Sequence, residues 1–272
     1  MNRLCIHSIT NKPWRLETLI EKYSGSGVPA LTIWEDAIKG PGAKIAGDQL
    51  AKSGLKVVSY CRGGFFPDLN QSAREKNIDR NKRMIEDASA LGAPLLVLVC
   101  GADPGQSLLH SREQIRSGIE AVLPVAADYG VKLAIEPLHP MYADTRSAIN
   151  TLSVANDLAE YFDSEWIGVA IDVYHVWWDP DLKEQIQRCG RKKNMLAFHI
   201  CDWHVPTNDL LLDREIMGRG CIPVNKISQW VDEAGFKGFR EVEIFSTHYW
   251  ERDQDSFLAD IITAYQETYD KS

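Results

Sequence analysis

The sequence predicts an α/β chain that closes into a single (β/α)8 TIM barrel spanning residues 1–272. Three observations predict it. Short apolar runs alternate with helical patterns eight times along the chain. Gly54, Gly92, Gly130 and Gly235 each follow a helical run and precede the next apolar one, as C-terminal helix stops do. The loop after the first apolar run, HSITNKPW, has no glycine, whereas a doubly wound open sheet usually carries a GxGxxG nucleotide loop there.

The elements follow in order. RLCIH (3–7) is the first strand, and a helical pattern covers 15–24. ALTIW (30–34) leads to a helix over 43–53 that Gly54 stops. KVVSY (56–60) leads to a helix over 72–91 with its stop at Gly92. LLVLV (95–99) precedes a helix over 110–129, ended by Gly130. KLAIE (132–136) breaks at Pro137 and Pro140, because proline cannot donate to a strand ladder. Asp144 is placed to cap a helix over 144–161. IGVAID (167–172) is followed by a helix over 181–190. LAFHI (196–200) is followed by the longest irregular stretch, roughly 201–222. Pro223 suits the start of a helix over 224–234. REVEIF (240–245) and a helix over 255–268 complete the set. No linker or low-complexity segment divides the chain.

Composition narrows the function classes. The chain is 44% hydrophobic and 25% charged, an ordinary globular balance. Its net charge of −8 and the absence of a basic stripe argue against nucleic acid and anionic membranes as partners. The opening MNRLCIHSIT does not read as a signal peptide, and no run approaches the length of a membrane span. The six cysteines, at 5, 61, 100, 189, 201 and 221, form no CxxC pair and read as reduced thiols of a cytoplasmic protein. Single aromatic residues such as Trp230 and Trp250 leave a homo-oligomer or a second small subunit open.

In such a barrel the chemistry sits at the C-terminal ends of the strands. The fifth strand ends at Glu136 and the sixth at Asp172; the seventh carries His199 and the eighth Glu243. Strand alternation puts Ala134, Ala170 and Ala197 on the same faces as the first three, which suits a crowded lumen. Ile135, Ile171 and Phe198 fall on the faces toward the outer helices. The eighth strand differs, because Glu241 lies below Glu243 and stands as a supporting partner. Three carboxylates do not crowd together as bare anions, and a divalent cation resolves the conflict. Three oxygens and one imidazole nitrogen suit Mn²⁺ first, with Mg²⁺, Co²⁺ or Zn²⁺ as alternatives. The competing reading of each residue alone is a salt-bridged or hydrogen-bonded core group.

This set resembles the xylose isomerase-like barrels of the sugar phosphate isomerase/epimerase superfamily. Asp172-Val173-Tyr174-His175 resembles that family's DxxH, His199-Ile200-Cys201-Asp202 its HxxD, and MGRGCIP (217–223) its glycine-rich stretch before the seventh barrel helix. The resemblance implies that Asp172 holds metal, that His175 touches substrate, and that Glu136 and Glu243 shuttle the proton. Two features depart from the ketose 3-epimerases. Tyr142 stands where they place a second glutamate, and Val205 stands near their substrate-binding arginine, with Arg214 and Arg219 only later. EPLHPMYADTRSAINTL and CDWHVPTNDLLLDREIMGRGCI look closer to the large subunits of bacterial C-glycoside deglycosidases.

The expected function is a metal-dependent sugar isomerase or epimerase that abstracts a proton next to a sugar carbonyl through an enediolate. The alternative is a lyase that cleaves 3-oxo-glycosides by β-elimination from the same enolate. His139, three residues past Glu136, is the candidate base for that case, against a loop histidine bonded to backbone. His175, Trp34, Glu35, Arg62, His7 and Trp203 are the candidate substrate-binding residues, all at or after strand ends. The different-class alternative is a non-catalytic sugar-binding barrel. A multi-zinc DNA-repair nuclease would need more than seven histidines and a basic face. The expected ligand is an unphosphorylated sugar or glycoside.

Overall fold

The computed structural model describes residues 1–269. Eight parallel strands form one closed barrel in the order β1-β10-β7-β6-β5-β4-β3-β2. They are β1 (Leu4–His7), β2 (Ala30–Trp34), β3 (Lys56–Gly64), β4 (Leu95–Val99), β5 (Lys132–Ile135), β6 (Ile167–Asp172), β7 (Met195–Ile200) and β10 (Arg240–Val242). The short strands β8 (Asp202–Trp203) and β9 (Arg214–Glu215) pair antiparallel above the barrel and order the stretch expected to be irregular.

The long helices are α1 (Leu16–Gly25), α3 (Gly42–Ser53), α4 (Gln71–Leu91), α5 (Leu108–Asp128), α6 (Leu152–Phe162), α8 (Leu182–Arg191), α9 (Val224–Glu233) and α11 (Gln254–Tyr269). Three single-turn helices sit on strand ends or close after them: α2 (Glu35–Ile38), α7 (Val173–Val176) and α10 (Thr247–Glu251). Gly54 and Gly92 cap α3 and α4 in the left-handed conformation, as the sequence predicts.

The alternation rule holds in the packing. Ala134, Ala170 and Ala197 join Cys61, Leu95 and Val97 in a separate cluster inside the barrel. Ile135, Ile171 and Phe198 belong to the large cluster between strands and helices. Small residues in the lumen leave room above them for longer polar side chains.

Four boundaries differ from expectation. The sixth helix begins at Leu152, not at 144, and its cap is Thr151, whose hydroxyl accepts from Val154 N at 3.2 Å. Asp144 lies in a turn, because the backbone that follows it is already engaged. Gly101 N donates to Arg146 O, and Ala148 N donates to Gly101 O, both at 2.9 Å. A Cβ on Gly101, which has φ +94°, would fall 2.7 Å from Phe65 Cα, so this bridge needs glycine. β3 runs on to Gly64, which brings Arg62 onto a strand. β5 and β10 stop at Ile135 and Val242, one residue short of Glu136 and Glu243. The amides of those glutamates still bond the neighbouring strands, Glu136 N to Leu98 O and Glu243 N to Ile200 O, each at 3.1 Å.

Candidate metal centre

Glu136, Asp172, His199 and Glu243 meet at the C-terminal mouth of the barrel. One ligand-capable atom from each lies within 4.8 Å of the others, and all four residues are buried. Strand register explains the convergence. Asp172 is the Cα partner of His199, and His199 is the partner of Glu241, so Glu243 stands one pleat above. Asp172 also opens α7 by accepting from Tyr174 N at 2.9 Å. One helical turn on, His175 Nε2 lies 3.6 Å from Asp172 Oδ2. The spacing of three in the DxxH stretch is therefore a helix turn folded back on its own cap.

The donor set fits a divalent ion by a direct structural test. His199 Nδ1 and Glu136 Oε1 lie 2.9 Å apart. Neither has a hydrogen-bond partner, although both atoms are buried. Buried polar atoms are rarely left unpaired, and a shared cation would satisfy both. Burial lowers the His199 pKa, but the Glu136, Glu241 and Glu243 carboxylates outweigh it and push it up to about 10. Burial drives the Asp172 carboxyl up to about 7. Burial also raises that of Glu243, yet Arg214 and His7 hold it well below the usual range. The Arg214 cation thus lies among these acids.

Arg214 is the main residue that sequence reasoning passed over. It is only 3% exposed. Its Nη1 donates to Asp172 Oδ2 at 2.9 Å and to Glu243 Oε2 at 2.8 Å, and its Nη2 lies 3.2 Å from His175 Nε2. The guanidinium carbon lies 4.3 Å over the Tyr174 ring. β9 delivers this side chain by pairing with β8, which directly follows His199-Ile200-Cys201. Asp202 anchors the same region. Its carboxylate accepts from Trp203 N, Gly218 N and Ile222 N at 2.8–2.9 Å, so the HxxD aspartate holds the MGRGCIP loop rather than the pocket.

The other candidates divide. Arg62, Trp34 and His175 line the pocket with Glu136, Glu243 and Arg214. So do Val99, Leu138, Tyr142, Arg146, Leu211 and Phe245, which sequence reasoning did not assign to a pocket. Tyr142 donates its hydroxyl to Leu210 O, holding the loop that carries Leu211.

His7 is fully buried and faces inward. Its Nε2 lies 3.2 Å from Glu241 Oε2 and its Nδ1 lies 3.0 Å from Glu243 Oε1. Glu35 pairs with Arg80 at 2.8 Å, away from the pocket. Trp203 stacks on Tyr174, with ring centroids 4.7 Å apart. His139 is not brought into the lining. Its Nδ1 accepts from Met141 N at 3.2 Å, and its ring lies 5.6 Å from both Trp178 and Trp203. Val205 is 62% exposed, and Arg219 pairs with Asp260 at 3.5 Å.

The space left above the four residues is small, about 20 Å³. No helix among the described residues is long and apolar enough to cross a membrane.

Comparison with known proteins gives a consistent picture. Residues 35–261 match the model of the xylose isomerase-like TIM barrel. An inosose isomerase from Bacillus licheniformis is 26% identical over 197 residues, which cover 68% of this chain and 66% of that protein. The match therefore spans just under two thirds of that relative's length. A crystal structure of a protein from Sinorhizobium meliloti 1021 has a TM-score of 0.95 and 45% identity, with 98% of each chain covered. The IOLI protein with a bound zinc atom shares the fold, with a TM-score of 0.84 at 19% identity over 99% of this chain and 98% of that one.

Proposed function

Because this chain belongs to the xylose isomerase-like TIM barrel family, we propose that it is a divalent-metal-dependent isomerase or epimerase. It would move a proton next to the carbonyl of a polyhydroxylated ketone. The observation that carries the reading is the buried convergence of Glu136, Asp172, His199 and Glu243. Similarity to inosose isomerases supports a ketone of this kind.

Those four residues would hold the ion, with manganese the proposed occupant. A divalent ion there supplies a Lewis acid for the carbonyl oxygen and offsets the charge that grows as the C–H proton leaves. The protein's own groups do the rest. Glu136 and Glu243 stand past the ends of strands three places apart around the barrel, so they approach a bound ketone from different sides. One takes the proton, and the other returns it to the opposite face or to the neighbouring carbon. Arg214 and Arg62 present cations to the substrate oxygens. His175 lines the same space with its buried Nδ1 unpartnered, which leaves it free for a hydroxyl. Val99, Leu138, Leu211 and Phe245 keep water from the reacting carbon. The placement of His139 outside the lining supports this two-glutamate scheme over elimination with an imidazole base.

Calorimetric titration with Mn²⁺ tests the assignment. The wild-type chain is expected to take up one equivalent, and Glu136→Gln and Glu243→Gln to lose it. Unchanged uptake in both variants contradicts the assignment.

A further inference from the structure

Arg62 and Arg146 both line the space above Glu136 and Glu243, and both are half-buried there. They come from different elements. Arg62 stands on β3, and Arg146 on the segment between β5 and α6. Gly101, just past β4, ties the two together. Its amide donates to Arg146 O at 2.9 Å, and a Cβ on it would fall 2.7 Å from Phe65 Cα. Phe65 N in turn donates to Val99 O at 2.8 Å. The backbones that carry both arginines are thus fixed to the end of β4. β3 and β4 stand outside the run β5-β6-β7-β10 that carries the four converging residues, so the pair sits on its own side of the mouth.

The charged ends are held more loosely than the backbones. The Arg62 guanidinium carbon lies 5.1 Å from the centroid of the Phe65 ring and 5.5 Å from that of Trp34. That of Arg146 lies 5.5 Å from the centroid of Tyr142. Among the described residues, neither guanidinium donates a hydrogen bond or pairs with a carboxylate. Ring faces steer a guanidinium and leave its five N–H donors free. Arg214, in the same space, spends its Nη1 on Asp172 and Glu243.

The balance of charge asks for an anion. Burial lowers the Arg62 pKa, and the Arg146 charge lowers it further. Two half-buried like charges cost free energy unless an opposite charge joins them. The acids nearby are engaged elsewhere. A divalent ion and Arg214 together would offset Glu136, Asp172 and Glu243. Glu241 lies deeper, where it accepts from Thr32 at 2.5 Å and Ser59 at 3.1 Å beside His7. The β3–β4 side of the mouth therefore keeps a positive surplus, in a chain whose net charge is −8.

The donors favour one kind of anion. A guanidinium meets a carboxylate through two parallel N–H bonds. A phosphate ester commonly draws on the backbone amides of a glycine-rich loop. Here the amides of Gly218 and Ile222, in MGRGCIP, are taken by Asp202.

From these observations we infer that Arg62 and Arg146 form a carboxylate clamp, and that the substrate is an acidic sugar whose carboxylate lies at the end away from its ketone. The inference rests on the isomerase reading of the four converging residues and names the substrate class of that same site. Neutral ketones reach the same centre and bind more weakly.

The test is calorimetric binding of D-fructuronate, D-fructose and D-fructose 6-phosphate, which share a ketone at C2 and differ at C6. Manganese uptake is measured first on the same sample, so failure of the metal assignment shows there. If no manganese is taken up, the same comparison on the metal-free protein still reads the clamp. The acid is expected to bind at least ~tenfold tighter than fructose, the scale of a charge-assisted hydrogen bond. Arg62→Gln and Arg146→Gln should each bring that advantage close to parity, with manganese uptake as the check that the variants fold. Arg146→Lys, which keeps the charge and loses the fork, should keep part of it. A merely structural role for either arginine would weaken the acid and fructose alike. Equal affinities for the acid and fructose, no binding of the acid, tighter binding of the phosphate ester than of the acid, or an advantage that survives both glutamine variants would overturn the clamp.

Discussion

Replacing Arg214 with methionine keeps an unbranched apolar stem and removes a guanidinium that bonds both Asp172 and Glu243. Arg214 is 3% exposed, and its Nη1 also donates to Glu243 O at 3.2 Å. Breaking a buried ion pair of this kind strands the partner charges and typically costs about 3–5 kcal/mol. Asp172, already raised to about 7, absorbs part of the cost by taking a proton. The low end, about 3 kcal/mol, is therefore expected, which for a chain of this size lowers the melting temperature by roughly 6–12 °C. The assay is thermal denaturation of metal-stripped protein, followed by the same scan with manganese. An ion held at 100 times its Kd returns about 2.7 kcal/mol, so manganese should recover most of the loss. If the stripped variant melts within about 2 °C of wild type, Arg214 does not balance the buried acids, and the electrostatic account of the centre is wrong.

Two further outcomes follow from local structure. Gly118→Ala gains helix propensity, ~1 kcal/mol, yet its Cβ would lie 2.3 Å from the buried Phe66 ring. Overpacking of ~1–3 kcal/mol should win, so chemical denaturation should show a net loss of stability, and a gain would refute the packing described for α5. At the base of the loop above the pocket, His204 Nδ1 lies 3.0 Å from Asp213 Oδ2, and this bond raises the imidazole pKa. A raised pKa means that the pair's contribution is full below the unfolded value and fades as pH rises through the folded one. An NMR titration of His204 should therefore give a midpoint above 6.5; a midpoint at or below 6.5 contradicts the pairing.

The barrel was legible because each strand carries its own apolar run and several helices carry their own glycine stop. The four converging residues were legible because parallel strands put their C-terminal ends on one face, so strand position alone brought Glu136, Asp172, His199 and Glu243 together. Arg214 was not legible for a physical reason. Its burial depends on the two-residue pairing of β8 with β9, inside a stretch with no periodic pattern. The sequence showed Arg214 and Arg219 five residues apart with nothing to rank them, and the fold buries one and sends the other to Asp260. The shift of the helix cap from Asp144 to Thr151 has a similar origin. Both residues are competent caps, and the bonds from Gly101 to the intervening backbone decide between them. The orientation of His7 was not legible, because a histidine at a strand end can face the mouth or the lumen, and the inward position depends on Glu241, which stands on a strand more than 200 residues later.

The central claim is that this site moves a proton next to a ketone carbonyl with a divalent ion in place. A proton NMR time course in D₂O on magnesium-loaded protein tests it most directly, with an inosose, free ketoses and 3-oxo-glucosides as substrates. The account predicts that solvent deuterium enters the carbon beside the carbonyl in at least one of these, and that Glu136→Gln and Glu243→Gln abolish the exchange. Metal-bound protein that exchanges none of them, or exchange that persists in both variants, would contradict it.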